Sequence, residues 1–178
     1  MDSSDNTNTL NDSLLIRECL SEEAEALLAL WEAAGTSPSV TDTITDVQGV
    51  IASSASVLVA EIDQRIVGSL IATFDGWRGN MYRIAVHPDY RRRGIGRALV
   101  EEGEKCLAKL GVKRITALVE EKYPGAVAFW SSVGYEIEPG IVRFFRNPLT
   151  QGYRGDPDDG TQRPSRKPVD RCIFTGNE

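Results

Sequence analysis

The chain has 178 residues, of which 41% are hydrophobic and 26% are charged, and this composition is typical of one globular domain rather than of a disordered, fibrous or membrane protein. Its formal net charge of -6 disfavours general binding to nucleic acid, which requires a positive face. The N-terminal residues lack the basic and apolar segments of a signal peptide, and no apolar run is long enough to cross a bilayer, so we expect a cytoplasmic protein without membrane contact.

The first half of the chain predicts a strand, two helices and a hairpin. A strand at residues 14–19 precedes a helix that opens at Ser21 as its N-cap, has acidic residues in its first turn and ends at Gly35. A weaker helix is predicted over residues 41–53. The two apolar strands that follow flank residues 63–64, and this spacing predicts a two-residue hairpin.

The second half predicts alternating strands and helices. In chain order these are a strand at residues 80–86, a helix over residues 94–110 ended by Gly111, a strand at residues 114–120, a helix between Pro124 and Gly134, and a final strand at residues 141–145. The order β-α-α-β-β-β-α-β-α-β indicates an α/β fold with a mixed sheet. Residues 13–147 form the predicted domain. A flexible polar tail at residues 1–12 and a mostly irregular C-terminal extension at residues 148–178 flank it.

The stretch VHPDYRRRGIGRALV, residues 86–100, places an arginine-rich turn between a strand and a helix. Gly94 and Gly96 allow the backbone to bend closely where the helix begins. The first turn of a helix has unpaired N–H donors and a partial positive charge, which together favour a phosphate or pyrophosphate. The pattern therefore predicts an anion site, although the glycines and arginines could also form a plain solvated turn.

A dinucleotide-binding fingerprint fits this stretch less well. After Gly94 and Gly96, the fingerprint requires a third glycine where the chain has Leu99. A Rossmann-type oxidoreductase is accordingly a poorer interpretation.

The chain resembles the GCN5-related N-acetyltransferases, or GNAT family, over about residues 14–146. Residues 91–96 match the family motif Q/R-x-x-G-x-G/A in its strand–turn–helix setting, and the segment AVAFWSSVGYE, residues 126–136, resembles the helix and glycine near the end of the family's fold. The resemblance implies a mostly antiparallel mixed sheet with helices on both faces. It also implies an acetyltransferase that moves the acetyl group of acetyl-CoA, its cosubstrate, directly to a primary amine of a small molecule, protein or peptide.

The same resemblance implies which residues bind coenzyme A. Backbone amides of residues 92–97 are expected to hold the pyrophosphate, and the backbones of Ile84 and Val86 to pair with the pantetheine arm. Side chains of Arg92, Arg93 and Arg97 are expected to assist, whereas Arg91 can instead brace the turn. The full set of expected cofactor-binding residues is Ile84, Ala85, Val86, Arg91, Arg92, Arg93, Gly94, Ile95, Gly96 and Arg97.

The expected catalytic residues depart from the family pattern. Trp130 stands where many relatives have a tyrosine acid, and an indole cannot donate a proton in this way. Tyr123 occupies the usual asparagine position and is the nearest replacement for that acid. The family's carboxylate position falls on Leu118, and strand alternation places Glu120 on the same face, so Glu120 is the candidate base. A solvated carboxylate at a strand end is an equally good interpretation of Glu120.

Other residues give weaker indications. His87 is the only histidine, and its place beside Pro88 is typical of a loop residue. Cys19, Cys106 and Cys172 are odd in number and lack CxxC spacing, which argues against disulfides and a zinc site, so no metal is expected.

Because the family's standard acid and base are absent, a noncatalytic acyl-CoA-binding or regulatory module stays open as an alternative. The sequence leaves both a monomer and a homodimer open, and it does not name the amine.

Overall fold

The computed structural model describes residues 14–143, 145 and 147. The described residues up to Ile141 form one compact unit, and the few beyond it belong to a second. The strands and helices of the first unit are β1 Leu15–Glu18, α1 Ala24–Ala34, α2 Ile44–Ile51, β2 Ser56–Ile62, β3 Arg65–Phe74, β4 Gly79–Val86, α3 Ile95–Lys109, β5 Ile115–Ala117 and α4 Pro124–Ser132.

One five-stranded sheet has its strands in the order β1-β2-β3-β4-β5. The first four strands pair antiparallel, and β5 pairs parallel to β4. Helices α3 and α4 cover one face through residues such as Leu99, Leu107 and Trp130, while α1 and α2 cover the other through Leu27 and Val47. The predicted mixed, mostly antiparallel sheet with helices on both faces is confirmed.

Residues with positive φ form the hairpin turn between β2 and β3 and the ends of helices. Asp63 and Gln64 both have positive φ, at 48° and 61°, which is the backbone of the two-residue hairpin turn predicted there. Gly35 ends α1 in the left-handed conformation, with φ of 73°, as expected for a C-terminal glycine. Gly111 follows the last turn of α3 and also has positive φ, at 74°. The predicted helix ends at Gly35 and Gly111 and the hairpin at residues 63–64 are thus confirmed.

The prediction of Ser21 as the N-cap of the first helix is wrong. Ser21 lies within a short 3-10 turn, Ser21–Glu23, that precedes α1. The Glu23 carboxylate accepts the N–H of Leu20 at 2.9 Å and also forms an ion pair with Arg17. The Glu23 carboxylate, which Arg17 holds in place, therefore satisfies the N–H of Leu20. Helix α1 begins after this 3-10 turn, at Ala24.

The final strand predicted at residues 141–145 is also wrong for the residues that the structure describes there. Ile141, Val142, Arg143 and Phe145 lie outside any strand, and the three apolar side chains are exposed. A strand needs a neighbour to satisfy its N–H and C=O groups, and β5, at only three residues, is shorter than the predicted strand at residues 114–120.

Helix α3 packs unusually close to the sheet at Gly103. A Cβ added there would lie 2.7 Å from Cδ2 of Leu70 and 3.1 Å from Cε of Met81. Both neighbours are fully buried, so neither has room to move away. The absence of a side chain at Gly103 therefore sets the distance between α3 and strands β3 and β4.

Gly103→Val is expected to lower the free energy of unfolding by about 1–3 kcal/mol, because the core is already filled at this point. Gly49→Val is the matched control, since Gly49 is also helical and a Cβ there would meet nothing within 4 Å. Urea denaturation of both variants measures the difference. Equal stabilities would contradict the close packing at Gly103.

Candidate functional site

Strands β4 and β5 separate after a short stretch of pairing and leave a wedge. They pair only from Gly79 opposite Ile115 to Met81 opposite Ala117. Strand β4 then continues to Val86, whereas the chain after Ala117 leaves the sheet. Residues 82–86 and residues 118–123 therefore border a wedge that opens where this pairing ends.

A β-bulge in β4 lies on one wall of the wedge. Ser69 pairs with Ala85 and Ile71 with Tyr82, so β4 has one extra residue in this interval. Arg83 has φ of 51°, which is uncommon for a residue with a side chain. The bulge reverses the alternation of side chains, because Ile84 now packs on the α3 face rather than the α1 face.

The bulge and the register together direct main-chain groups into the wedge. The N–H of His87 donates to the carbonyl of Val67 at 2.8 Å. Bonded and non-bonded pairs alternate along an antiparallel ladder, so the N–H and C=O of Val86 and of Ile84 point away from β3. Ala85 directs its own polar groups toward β3. Of these three predicted cofactor-binding residues, Ile84 and Val86 therefore turn main-chain groups toward the wedge, although the Val86 carbonyl already accepts a bond from Arg91, and Ala85 does not.

The turn after β4 is built by its own residues and by Arg91. His87 precedes the 3-10 turn Pro88–Tyr90, and its Nδ1 accepts the N–H of Asp89 at 3.3 Å, which confirms His87 as a loop residue. The Arg91 guanidinium donates to the carbonyl of Val86 at 3.1 Å and to that of Ala34 at 2.8 Å. Arg91 thus ties the turn to the end of α1, which is the bracing role expected for it.

Unpaired backbone donors gather where α3 begins. Arg92 and Gly94 both have positive φ, at 65° and 79°. Within the described part of the chain, the N–H groups of residues 92–97 donate to no acceptor, and the first helical bond is from Ala98 to the carbonyl of Gly94 at 3.0 Å. Ile95 is buried, so it presents only its N–H. These donors, at the positive end of a 15-residue helix, make residues 92–97 a candidate site for an anion.

The arginine side chains around this anion site have different roles. Arg97 donates to the carbonyl of Ser132 at 2.9 Å, at the end of α4. Arg93 lies over the ring of Tyr90 at 5.1 Å. Among the described residues, Arg92 has no side-chain partner, so it is the arginine most available to a ligand. The N–H of Arg97 is one of the free donors, while its side chain links α3 to the end of α4.

Gly96 has a packing role that the sequence did not reveal. A Cβ at this position would lie 3.0 Å from Cε2 of Phe129 and 3.8 Å from Cγ2 of Val86. Phe129 of α4 therefore lies against the start of α3. The apolar run around Phe129 indicates a buried helix face, but it does not show which glycine that face meets.

Glu120 and Tyr123, the two predicted catalytic residues, come together on the opposite side of the wedge. The Ser37 hydroxyl donates to Oε2 of Glu120 at 3.0 Å, and its oxygen lies 3.1 Å from the Tyr123 hydroxyl. Because Ser37 has a single proton to donate, Tyr123 is the donor in the second bond. Ser37 was missed by sequence reasoning, since it lies in a loop 83 residues before Glu120 and belongs to no motif.

The charge state of Glu120 is set by its neighbours. The Lys122 ammonium lies 2.7 Å from its carboxylate and is the main cause of a lowered pKa for Glu120. The Ser37 hydrogen bond and the charge of Arg83 lower that pKa further. Glu120 is therefore a carboxylate at neutral pH, as a base must be.

Two aromatic residues near the family's acid position have structural roles instead. Trp130 is buried, with its ring 4.7 Å from that of Tyr135. The Tyr135 hydroxyl donates to Glu104 at 3.0 Å, and burial together with that carboxylate raises the pKa of Tyr135. Tyr123, exposed and beside Ser37, is the more accessible proton donor.

Cys19 and Cys106 are free thiols, and Cys172 lies outside the described residues. The described residues contain no cluster of three or more metal-ligating side chains. Within the same residues, no helix is long and apolar enough to span a bilayer.

Comparison with known proteins shows that the chain is similar to acetyltransferases. The model of the acetyltransferase (GNAT) family matches residues 18–135. The chain is 34% identical over 122 residues to an acetyltransferase of Pectobacterium atrosepticum, covering 68% of this chain and 86% of that protein. It is 31% identical over 139 residues to an acetyltransferase of Yersinia pestis, covering 78% of this chain and 99% of that protein.

Solved structures share the fold at lower identity. An aminoglycoside acetyltransferase from an uncultured soil metagenomic sample, in complex with sisomicin, superposes with a TM-score of 0.66 at 20% identity, over 78% of this chain and 98% of that one. The paia N-acetyltransferase of Thermoplasma acidophilum, in complex with coenzyme A, superposes with a TM-score of 0.65 at 19% identity, over 71% and 91%.

Proposed function

The chain belongs to the GNAT family of acetyltransferases, and we propose that it transfers the acetyl group of acetyl-CoA directly to a primary amine. The observation that carries this proposal is the wedge in the sheet, which has free backbone donors at one end and the Glu120–Ser37–Tyr123 group on its opposite side. A site for an anionic coenzyme and a site for proton transfer thus border one opening.

The residues present fit coenzyme A. The N–H groups of residues 92–97 would hold the pyrophosphate at the positive end of α3, with Arg92 free to add charge. The main-chain groups of Ile84 and Val86 that face the wedge would pair with the pantetheine arm as a strand pairs with its neighbour. When bound, acetyl-CoA supplies the acetyl group as a thioester.

Glu120 and Tyr123 would carry out the two proton transfers of the proposed reaction. A primary amine has a pKa near 10, about that of lysine, so a group must accept a proton before the amine can attack. The Glu120 carboxylate is ionised at neutral pH and exposed to solvent. Tyr123 would turn its proton from Ser37 to the leaving thiolate, a less demanding transfer because a free thiol has a pKa of about 8.5.

Release of free thiol from acetyl-CoA with a panel of amines tests the proposed function. The panel includes polyamines, peptides with a free N-terminus or lysine, and aminoglycosides, since solved structures of similar fold include aminoglycoside acetyltransferases. Thiol release that depends on an amine supports the proposal. Binding of acetyl-CoA without release by any amine supports instead the noncatalytic acyl-CoA-binding module.

Glu120→Gln is expected to lower kcat while leaving the affinity for acetyl-CoA nearly unchanged, because the amide cannot accept the proton. In the wild type, activity falls with decreasing pH as Glu120 becomes protonated, and this acid limb should be lost in the variant. Lys122→Met is the companion variant: without the ammonium the pKa of Glu120 rises, so the acid limb moves to higher pH. A pH–rate profile identical in all three proteins would remove Glu120 as the base.

A further inference from the structure

We propose that Arg83 is a positioning residue of the transfer site, which fixes the loop at residues 35–43 so that Ser37 holds Glu120 and Tyr123 together. The proposal rests on the proposed function for those two side chains. Arg83 itself lies in the wall of the wedge and acts through Ser37.

The backbone of Arg83 is held from the core of the protein. Its carbonyl accepts the hydroxyl of Ser69 at 3.0 Å, and the Ser69 oxygen in turn accepts the indole N–H of Trp31 at 2.9 Å. Ser69 is fully buried, so water cannot replace either bond. These contacts keep Arg83 in the bulge with its positive φ, and the bulge directs its side chain to the α1 face.

The side chain of Arg83 contacts several residues of the loop that joins α1 to α2. Its guanidinium forms an ion pair with Asp42 and lies 4.8 Å from the ring centre of Trp31. It also donates to the carbonyl of Ser37 at 3.1 Å and to the hydroxyl of Thr36 at 3.3 Å. The side chains of Arg83 and Asp42 are each only 18% exposed, so this pair is screened less than a surface pair.

Ser37 is therefore fixed through its carbonyl while its hydroxyl contacts the two candidate catalytic residues. The bonds of Ser37 to Glu120 and Tyr123 are exposed, and water competes for them unless the serine is held in place. Arg83 supplies that restraint with several N–H donors arranged in one plane, which the single ammonium of a lysine cannot reproduce.

The test compares Arg83→Lys, Ser37→Ala and the double variant by steady-state kinetics. Each single variant is expected to lower kcat by about 10-fold, with the KM for acetyl-CoA changed by less than about 2-fold, because the coenzyme site is untouched. If Arg83 acts through Ser37, the double variant is no slower than the slower single variant. Losses that multiply, or an unchanged kcat in Arg83→Lys, would overturn the proposal.

Two further measurements test the role of Arg83 in holding the loop at residues 35–43. Hydrogen exchange of residues 35–43 should become faster in Arg83→Lys and stay unchanged in Ser37→Ala, and this readout does not depend on turnover. Unchanged exchange in Arg83→Lys counts against the proposal even if the wild type acetylates no amine, an outcome that defeats the proposed function separately. Asp42→Asn, which keeps Arg83 and weakens its ion pair, should shift kcat and exchange in the same direction to a smaller extent, and no shift would count against the proposal.

Discussion

Gly96→Glu is expected to weaken the binding of coenzyme A by at least about 100-fold, which corresponds to about 2.7 kcal/mol. The N–H of Gly96 is one of the free donors at the start of α3, so a glutamate at this residue adds negative charge close to the proposed pyrophosphate site. At an effective dielectric constant of about 20, like charges about 5 Å apart repel by about 3 kcal/mol, enough to account for the loss. Isothermal titration calorimetry with coenzyme A measures it.

Gly96→Gln separates charge from bulk, since the two side chains have nearly the same size. Both place a Cβ 3.0 Å from the Phe129 ring, so both are expected to lower the thermal unfolding midpoint to a similar extent. Only the glutamate should lose most of the binding. If glutamine loses as much, bulk rather than charge is responsible. If the glutamate variant keeps wild-type affinity, the assignment of an anion site at residues 92–97 fails.

The strand, turn and helix that carry the proposed anion site could be predicted because their determinants are local in sequence. Pro88 restricts the turn, Gly94 permits the left-handed start of α3, and Gly111 ends the helix, so residues within one short segment fix the strand–turn–helix geometry. The turn and helix follow from these residues without knowledge of the rest of the chain. The same locality explains why the hairpin at residues 63–64 was predicted.

The bulge and the group around Ser37 could not be predicted because they depend on distant parts of the chain. The bulge exists only through the register of β3 against β4, and no residue near Arg83 marks it. Ser37, Glu120 and Tyr123 meet only after the sheet has formed and its strands have separated. The wrong strand at residues 141–145 has a related cause, since apolar residues such as Ile141 and Val142 indicate a strand locally but do not provide its partner.

Ser69→Ala is expected to lower the free energy of unfolding by about 1–3 kcal/mol for each buried polar group left without a partner. Two groups lose their partner, the indole N–H of Trp31 and the carbonyl of Arg83. Relaxation of the bulge should also turn the main chain of Ile84 and Val86 and so raise the KM for acetyl-CoA. Chemical denaturation and steady-state kinetics on the same variant measure both effects.

Ser53→Ala is the matched control, because Ser53 also makes two hydrogen bonds, to the carbonyl of Val50 at 2.7 Å and from the N–H of Ala55 at 3.1 Å. Ser53 is exposed, so water can take the place of its hydroxyl and the expected loss is below about 0.5 kcal/mol. The contrast isolates burial as the reason why Ser69 matters. Similar losses at the two serines would mean that the bulge is held by its strand register alone, and the KM for acetyl-CoA would then stay at its wild-type value in Ser69→Ala.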